Sequence, residues 1–540
     1  MSNAQAWKTR SIYQVLTDRF ATEDESLLNQ NPSPGLREYW GGTWRGIISK
    51  LDYIQGMGFD AIWISPISKN IEEVTEHGVA YHGYWPEDLY SVNPHFGTAD
   101  DLLALSDALH ARGMFLMVDV VVNHMGSPPI VDYSRYIPFN DSSYYHPQSF
   151  VKNYDDPQDC EQGWLGDDRV SLPDLNTEDP TVVLTLQTWI AKLVQKFKID
   201  GLRIDTVKHV RKNFWPDFVR SAGVWSLGEV LSGDPDYLSS YQPYLGGLLD
   251  YGTYYPLKRA FHRDGGSMHE LINLITPEYR SKFRDVQQMS TFMENHDMPR
   301  FTHDTNSDLA VVKNAMAWTL LTDGVPIIYY GQEQSYSGDG DPGSREPMWT
   351  SNYNITPLYQ YIARLNQIRK LSWESGFGTH LTTCLYVDDN VAATQKGPLL
   401  MVLTNKGSQA NPNAIFIATM FTIGTILVDT LTGESLTVRQ STKITIAAGE
   451  PRIFLPLPLA EIICENIIPP VQSALSRLFP NMFSFTTQLI IAAEITSWPQ
   501  GESASTADII LEEKDPVAGQ AEAKILMPSV EQSSSPWSIF

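Results

Sequence analysis

The nine residues GLRIDTVKH, at positions 201–209, bring Arg203, Asp205, Lys208 and His209 together directly after a short apolar run. This pattern is typical of a buried strand that ends in ionisable side chains, which is where α/β enzymes usually place their chemistry. An arginine two residues from an aspartate favours the carboxylate anion and keeps it ready as a nucleophile. The alternative is a structural Arg–Asp pair that closes a loop, and these residues alone do not separate the two interpretations.

Apolar runs like the one that precedes this motif recur along the first 330 residues. Segments with helical apolar spacing lie between them, for example residues 43–58, 99–113 and 181–198. Strands and helices alternating in this order predict an α/β fold, a (β/α)8 TIM barrel. The predicted strands are SIYQVL (11–16), DAIWISP (60–66), MFLMVDVVV (114–122), GLRID (201–205), VWSLGEV (224–230), GLLDY (247–251), MSTFMENH (289–296) and PIIYYG (326–331).

The barrel pattern is interrupted once and is then followed by a different pattern. Residues 123–180, rich in Asn, Asp, Tyr, Pro and Gly, predict an irregular subdomain inserted after the third strand. Residues 377–457 contain short β-branched segments separated by turns, which predict an antiparallel β-sandwich domain. The barrel is therefore assigned to 1–122 and 181–376, and residues 458–540 to a tail that is partly helical or disordered.

The composition restricts the partners of this chain. A net charge of −24 argues against binding nucleic acid, because phosphate contacts need clustered Lys and Arg. The sequence contains no run of about 18 uncharged apolar residues, so no membrane span is predicted. The opening MSNAQAWKTRSIYQV has no basic region followed by an apolar one, so no secretory signal is expected. The widely spaced Cys160, Cys384 and Cys464 suit reduced thiols, and we therefore expect a cytoplasmic monomer.

Several predicted strands end in acids, histidines or an arginine, and in a parallel barrel all carboxyl ends face one mouth. Three carboxylates with an arginine and two histidines suit protonation of an ether oxygen and stabilisation of a carbocation better than they suit phosphate chemistry. For any single acid, a solvated or salt-bridged loop residue is the alternative. The residues expected to converge are His124, Arg203, Asp205, Glu229, His296 and Asp297.

The motifs that carry these residues resemble a known family. DVVVNH (119–124), GLRIDTVKH, GEV (228–230) and ENHD (294–297) have the order and approximate spacing of the four signature regions of the α-amylase family of glycoside hydrolases. The similarity is strongest to the fungal Taka-type members and runs from about residue 8 to about residue 457. The chain looks like an intracellular form without signal peptide or family disulfides.

The resemblance implies a retaining mechanism, which the residue types support. Asp205 would attack the anomeric carbon, and Glu229 would protonate the glycosidic oxygen and then activate water, with the two carboxyls about 5–5.5 Å apart. Asp297 would grip sugar hydroxyls and favour the distorted ring of the transition state. Arg203 would keep Asp205 ionised while Glu229 retains its proton. His124 and His296 would hydrogen-bond the sugar at the cleavage subsite, and ordinary barrel-rim histidines are the alternative.

Further substrate contacts are implied by the resemblance. Tyr84 and Trp85, in YHGYW, would form a stacking platform for a glucose ring with His82 beside them, although such a cluster alone would more often be core. Lys208 and His209 would contact the sugar on the leaving-group side.

At the outer subsites the sequence matches the family's pattern at some positions and departs from it at others. Asp341 and Arg345, in GDPGSRE, match a pair at the far glucose-binding subsite of the family. Met298 stands where Asn is usual, and Ser232 replaces an expected acid on the product side of Glu229. The acceptor-side preference is therefore open.

Calcium is the implied cofactor. Asn123, Glu161 and Asp174, with the backbone carbonyl of His209, match the family's site between the inserted subdomain and the barrel. Oxygen ligands suit this hard cation, and an acidic loop without metal is the alternative.

The family's disulfides are missing. Trp40, Ser149, Gly163 and Ser239 stand where family cysteines are expected, which supports a reducing compartment.

The sequence thus predicts endo-hydrolysis of α-1,4-glucosidic bonds in glycogen, starch or maltooligosaccharides. A 4-α-glucanotransferase would use the same carboxylates and differ in whether water or a sugar hydroxyl resolves the intermediate. A protein of another class, an inactive glucan-binding scaffold, is disfavoured by the intact Asp205, Glu229 and Asp297.

Overall fold

Eight parallel strands close into a barrel, which confirms the predicted fold class. The computed structural model describes residues 3–24, 35–261 and 265–465. The barrel strands are β1 (Ile12–Val15), β2 (Ala61–Ile64), β3 (Phe115–Val120), β4 (Gly201–Ile204), β5 (Trp225–Gly228), β6 (Gly247–Leu249), β7 (Met289–Thr291) and β8 (Val325–Tyr329). Each strand pairs with its neighbour in sequence, and β8 pairs with β1 to complete the ring.

Helices surround the barrel, and local sequence explains where several of them begin. Thr98 and Asp101 form a reciprocal capping box at the start of helix α5 (Ala99–His110), and Asp179 caps helix α7 (Pro180–Phe197). Residues 43–58, predicted as one helix, form two, because Lys50 leaves the helical backbone with φ −113° and ψ 11°. The described α-helices are α1 (Ala4–Lys8), α2 (Thr17–Phe20), α3 (Trp44–Ser49), α4 (Leu51–Gly56), α5 (Ala99–His110), α6 (Pro157–Gln162), α7 (Pro180–Phe197), α8 (Trp215–Ala222), α9 (Pro235–Ser239), α10 (Tyr251–Ala260), α11 (His269–Asn273), α12 (Pro277–Ser281), α13 (Phe301–Asp304), α14 (Leu309–Leu321), α15 (Pro357–Glu374) and α16 (Leu457–Glu465).

The connection between β3 and α7 is long and mostly irregular, as predicted. It contains α6, short 3-10 turns and a two-stranded ladder formed by Leu165–Gly166 and Ser171–Leu172. The buried indole of Trp164 donates a 3.0 Å hydrogen bond to the carbonyl of His146. A buried aromatic ring of this kind lets a loop-rich segment hold a fixed shape.

A β-domain follows the barrel and consists of two antiparallel sheets. The strands are β9 (Thr383–Val387), β10 (Val391–Lys396), β11 (Leu399–Thr404), β12 (Asn413–Ile417), β13 (Ile426–Asp429), β14 (Ser435–Thr437), β15 (Thr442–Ile446) and β16 (Arg452–Pro456). The six-stranded sheet has the order β9-β10-β11-β16-β13-β14, and β12 pairs with β15 in a second, smaller sheet. Leu400 and Val402 of the large sheet pack with Ile415 and Ile417 of the small one.

The predicted tail is described only at its start. Helix α16 packs against β13, β16 and α15, and Arg364 donates to the carbonyl of Ile463 at 3.1 Å. The rest of the tail, predicted to be partly helical or disordered, lies outside the described residues. The described helices include none that combines the length and apolar character of a membrane span. The exact domain boundaries stay predictions.

A buried ion network joins the β-domain to the floor of the barrel, the end opposite the mouth. Asp323, just before β8, pairs with Lys396 of β10 at 2.8 Å and with Arg280 of α12. It also accepts the backbone N–H of Thr382 at 3.1 Å. The residues predicted to be catalytic follow the carboxyl ends of the strands, so they lie at the opposite end of the barrel from this network.

Candidate active site

Arg203 of β4 holds three carboxylates at the mouth of the barrel. Its Nη1 lies 2.7 Å from Asp205 Oδ1 and 3.0 Å from Asp119 Oδ1, and its Nη2 lies 2.9 Å from Glu229 Oε2. The parallel register of β3 and β4 places Asp119 beside Arg203, while Asp205 and Glu229 each follow the last residue of a strand. The Arg–Asp pair considered from the sequence exists, and it belongs to a larger cluster of opposite charges.

Burial sets the electrostatics of this cluster. It raises the pKa of Asp205 well above the usual range, and Glu229 and Asp119 raise it further, while Arg203 lowers it. Burial also raises the pKa of Asp119 to about 6 against the opposing charge of Arg203. The sequence predicted that Arg203 would keep Asp205 ionised. One guanidinium balances only one of three close carboxylates, which favours the binding of a proton by the cluster.

Glu229 is held through one of its two oxygens. Its Oε2 accepts the backbone N–H of Thr206 at 3.0 Å in addition to the contact with Arg203. Thr206 has a left-handed backbone, with φ 49° and ψ 40°, which is strained for a β-branched residue. The backbone amide of Thr206, the residue after Asp205, therefore holds the carboxylate of Glu229 close to Asp205.

Asp297 lies on a loop, and not at a strand end as predicted. Strand β7 ends at Thr291, and Asn295 Oδ1 accepts the backbone N–H of Asp297 at 2.9 Å. The side chain of Asp297 is 42% exposed, so this carboxylate is accessible from solvent. His296 Nε2 lies 3.2 Å from Asp297 Oδ2.

Arg345 contacts more of the site than the sequence indicated. It pairs with Asp341 at 2.9 Å, as the predicted outer pair would, and its Nη2 also lies 3.2 Å from Asp297 Oδ1. Its Nη1 donates to Tyr81 Oη at 2.9 Å, and its Nε donates to the carbonyl of His296 at 2.8 Å. Arg345 therefore orients the loop that carries Asp297.

The aromatic residues predicted to stack on sugar lie beside this cluster. The ring of the partly exposed Tyr84 is parallel to that of His296, with centroids 5.2 Å apart, and its hydroxyl donates to Asp119 Oδ2 at 2.8 Å. His82 contacts both Tyr84 and Trp85 through its ring.

His124 Nε2 donates to the carbonyl of Tyr84 at 3.1 Å, and burial lowers the pKa of His124 to about 4. His124 is therefore a neutral imidazole near neutral pH.

Lys208 and His209 lie on the turn after β4, next to the inserted segment. His209 Nδ1 donates to the carbonyl of Cys160 at 3.1 Å, and Lys208 Nζ donates to the carbonyl of Leu231 at 3.4 Å. The ammonium of Lys208 also lies 5.3 Å from the centre of the Tyr154 ring. The turn thus joins helix α6 to the side of the site on which we expect the leaving group.

Two residues of the site were missed in the sequence. Asp119 lies inside an apolar strand and looks like an isolated core acid, although its alignment with Arg203 in neighbouring strands was a usable signal. Tyr154, with an exposed ring above His209 and Lys208, had no motif to mark it.

The comparisons with known proteins agree with this geometry. Residues 14–395 match the model of the alpha-amylase catalytic domain, and residues 384–464 match the model of alpha-amylase domain C. The chain belongs to the α-amylase family. The predicted resemblance and the predicted enzyme class, a glycoside hydrolase acting on α-1,4-glucosidic bonds, are confirmed.

Individual members of the α-amylase family match most of the chain. Alpha-amylase 2 from Schwanniomyces occidentalis is 46% identical over 470 residues, which cover 85% of this chain and 92% of the relative. An alpha-amylase from Saccharomycopsis fibuligera is 43% identical over 471 residues, covering 86% and 94%. The solved alpha-amylase from Malbranchea cinnamomea is 47% identical, with a TM-score of 0.82 over 85% of this chain and 98% of that structure.

Members of the α-amylase family generally bind calcium, and the residues predicted to do so here offer oxygen atoms. Asp174 is buried, its Oδ2 lies 2.6 Å from His146 Nδ1, and its Oδ1 has no hydrogen-bond partner among the described residues. Burial raises the pKa of Asp174 to about 7. The half-buried Glu161 also has a raised pKa, because of burial and the nearby Glu178.

These donors fit a cation. A positive ligand would stabilise the unpaired buried oxygen of Asp174 and the two acids whose negative charge is unfavourable because they are buried. The buried Asn123 would add an amide oxygen. Among the described residues no group of three or more His, Cys, Asp and Glu side chains is arranged to hold a metal. The predicted set does not require one, because it includes an amide and a backbone carbonyl.

Proposed function

We propose that this enzyme cleaves internal α-1,4-glucosidic bonds of an α-glucan with retention of configuration, using Asp205 as nucleophile and Glu229 as acid and base. The observation that supports this assignment is that one guanidinium, Arg203, binds both carboxylates. Groups bonded to the two terminal nitrogens of one guanidinium can adopt the separation of about 5–5.5 Å used by retaining enzymes, which is too small for a water molecule between them.

The hydrogen bonds of Glu229 indicate which of its two oxygens would carry the catalytic proton. Arg203 and Thr206 both donate to Oε2, so we place the transferable proton on Oε1. In the first step Asp205 attacks the anomeric carbon as the C–O bond breaks, and Glu229 gives its proton to the leaving oxygen. In the second step Glu229 takes a proton from water, whose oxygen attacks the same carbon and releases Asp205.

Asp297 has a different role in this scheme. It is exposed to solvent and oriented by Arg345 and His296, which suits a carboxylate that binds sugar hydroxyls in the distorted transition state. His124 and His296 are buried and neutral, so they can line the sugar subsite without adding charge, although the one N–H of His124 already donates to the carbonyl of Tyr84.

The residues around the catalytic cluster are proposed to bind sugar on either side of the bond that is cleaved. Tyr84, Trp85 and His82 would line the donor side of the cleft, where an aromatic face can cover the apolar face of a glucose ring. Lys208 and His209 would lie on the leaving-group side.

We also propose that Asn123, Glu161, Asp174 and the carbonyl of His209 bind calcium. The orphaned oxygen of Asp174 supports this ligand set. Such an ion would fix the inserted segment against the turn after β4. Cytoplasmic location and a monomeric state stay predictions from the sequence, and Cys160 and Cys384 are free thiols in the structure.

Two catalytic variants test the proposal. Asp205→Asn and Glu229→Gln should each abolish detectable hydrolysis of a maltooligosaccharide while substrate still binds, because each removes an acid that no neighbour can replace. Asp107→Asn, which changes an exposed acid on α5, is the matched control and should keep full activity. Substantial hydrolysis by either catalytic variant would refute the assigned roles.

Product analysis separates hydrolysis from transfer. With maltoheptaose as substrate, a hydrolase releases only shorter chains. Products longer than maltoheptaose as the main outcome would identify the 4-α-glucanotransferase instead.

A further inference from the structure

Gln14 is a polar residue in the interior of the barrel. Strand β1 reads Ile-Tyr-Gln-Val and is buried along its whole length. Ile12 belongs to the interior cluster of apolar residues, whereas Tyr13 and Val15 belong to the cluster beneath the helices. Because side chains alternate along a strand, Gln14 faces inwards with Ile12. A buried amide is unfavourable unless its hydrogen bonds serve a purpose, so this exception to the apolar pattern calls for a cause.

The amide of Gln14 contacts the imidazole of His296. Gln14 Nε2 lies 2.9 Å from His296 Nδ1, and both side chains are buried. Gln14 Oε1 has no hydrogen-bond partner among the described residues. The contact between the two side chains is therefore the one polar interaction of this amide that the described structure shows.

His296 is neutral, so one ring nitrogen carries the proton and the other is an acceptor. Burial lowers the pKa of His296 well below its usual range. The charges of Arg345 and Arg203 lower it further, against the opposing charge of Glu229. Asp297 is the remaining charged group in contact with the ring.

Two contacts favour one of the two tautomers. Gln14 Nε2 faces His296 Nδ1, and the negative charge of Asp297, whose Oδ2 lies 3.2 Å from His296 Nε2, favours a proton on that nitrogen. Nδ1 is then the acceptor, and the group that faces it must be the NH2 of Gln14. The opposite amide orientation would place a carbonyl oxygen against an unprotonated nitrogen.

We propose that Gln14 is a positioning residue that fixes His296 as the Nε2–H tautomer, so that the ring presents its one N–H donor to the sugar beside Asp297. The inference rests on the proposed function for the role of that donor, but the tautomer itself does not depend on it. Tyr84, stacked parallel to the ring, restrains the position of the imidazole without selecting a tautomer. Removing the amide should therefore change where the proton lies more than where the ring lies.

The tautomer can be measured directly by 15N NMR of the full chain labelled at histidine, with His296 assigned by its loss in His296→Asn. In the unmodified protein Nε2 should show the protonated and Nδ1 the unprotonated chemical shift. Gln14→Met keeps a similar volume but has no donor, and should give a mixture. Gln14→Glu keeps the shape but presents an acceptor, and should move the proton to Nδ1 or protonate both nitrogens.

Kinetics provide the second measurement. Loss of one positioned donor should lower kcat about tenfold in Gln14→Met, and by more in Gln14→Glu, with KM changed less than about twofold. A purely structural role would lower the melting temperature without this split and without the NMR change.

The outcomes are distinct. A protonated Nδ1 in the unmodified protein would overturn the proposal, and this measurement does not require any variant to fold. An unchanged Nε2–H signal in a folded Gln14→Glu variant would also overturn it. If the tautomer responds as expected but the unmodified protein hydrolyses no glucan, the tautomer assignment stands and the proposed function fails.

Discussion

Replacing Asp119 with asparagine should weaken both the fold and the catalytic cluster. Asp119 accepts hydrogen bonds from Arg203 Nη1 at 3.0 and 3.1 Å, from Tyr84 Oη at 2.8 Å and from Trp63 Nε1 at 3.1 Å. Asparagine has nearly the same shape, but it presents an NH2 group where these donors need an acceptor. Breaking a buried charge pair costs about 3–5 kcal/mol, and we expect a loss of about 3 kcal/mol in the free energy of unfolding.

The variant should also change how activity depends on pH. Asp205 must be an anion to attack, so activity falls as the pH drops through the pKa of Asp205. The charge of Asp119 raises that pKa. Asp119→Asn should therefore move the acid limb of kcat/KM to lower pH, even though kcat falls about a hundredfold as Arg203 and Tyr84 lose their anchor.

The assay is kcat/KM for a chromogenic maltooligosaccharide over a pH series, together with thermal unfolding. Asp107→Asn is the control, because its exposed pair with Lys198 should contribute at most about 1 kcal/mol. An acid limb that stays in place or moves to higher pH would refute the assigned coupling between Asp119 and Asp205. Equal destabilisation by the two variants would refute the role of Asp119 as a buried anchor.

Two further predictions concern stability. Chelation of calcium should lower the melting temperature, and added calcium should restore it. At a thousandfold excess over Kd, calcium should raise the free energy of unfolding by about 4 kcal/mol, and the response of Asp174→Asn should be smaller. No response in the unmodified protein would count against the site. Asp323→Ala should leave Lys396 and Arg280 without their carboxylate and cost about 3–5 kcal/mol with kcat unchanged, as measured by thermal unfolding and by kinetics below the transition. A fall in kcat at constant stability would contradict the separation of floor and mouth.

The sequence predicted the barrel well because each strand is a short apolar run whose length and flanking helices admit few other arrangements. Asp205 and Glu229 were found for a related reason, since each follows the end of such a run. Parallel strands bring their carboxyl ends together, so convergence followed from strand order alone.

The residues that escaped prediction lie within strands or depend on loop geometry. Asp119 and Gln14 occupy positions where an apolar residue is usual. The register of neighbouring strands shows that Asp119 contacts Arg203, whereas the contact of Gln14 with His296 depends on the fold of the loop after β7. Strand β7 ends earlier than its apolar pattern indicated, so the placement of Asp297 depends on Asn295 and Arg345. Such contacts are set by tertiary packing and have no periodicity in the sequence.

The ion network at the floor of the barrel has a consequence for how this chain can diverge. A change at Asp323 leaves both Lys396 and Arg280 without their carboxylate, whereas a change at Lys396 leaves Asp323 paired with Arg280. Asp323 should therefore change more slowly than Lys396 in proteins that descend from this one. New glucan preferences can arise in the loops at the mouth while the contacts of Asp323 with Lys396 and Arg280 keep the two domains joined.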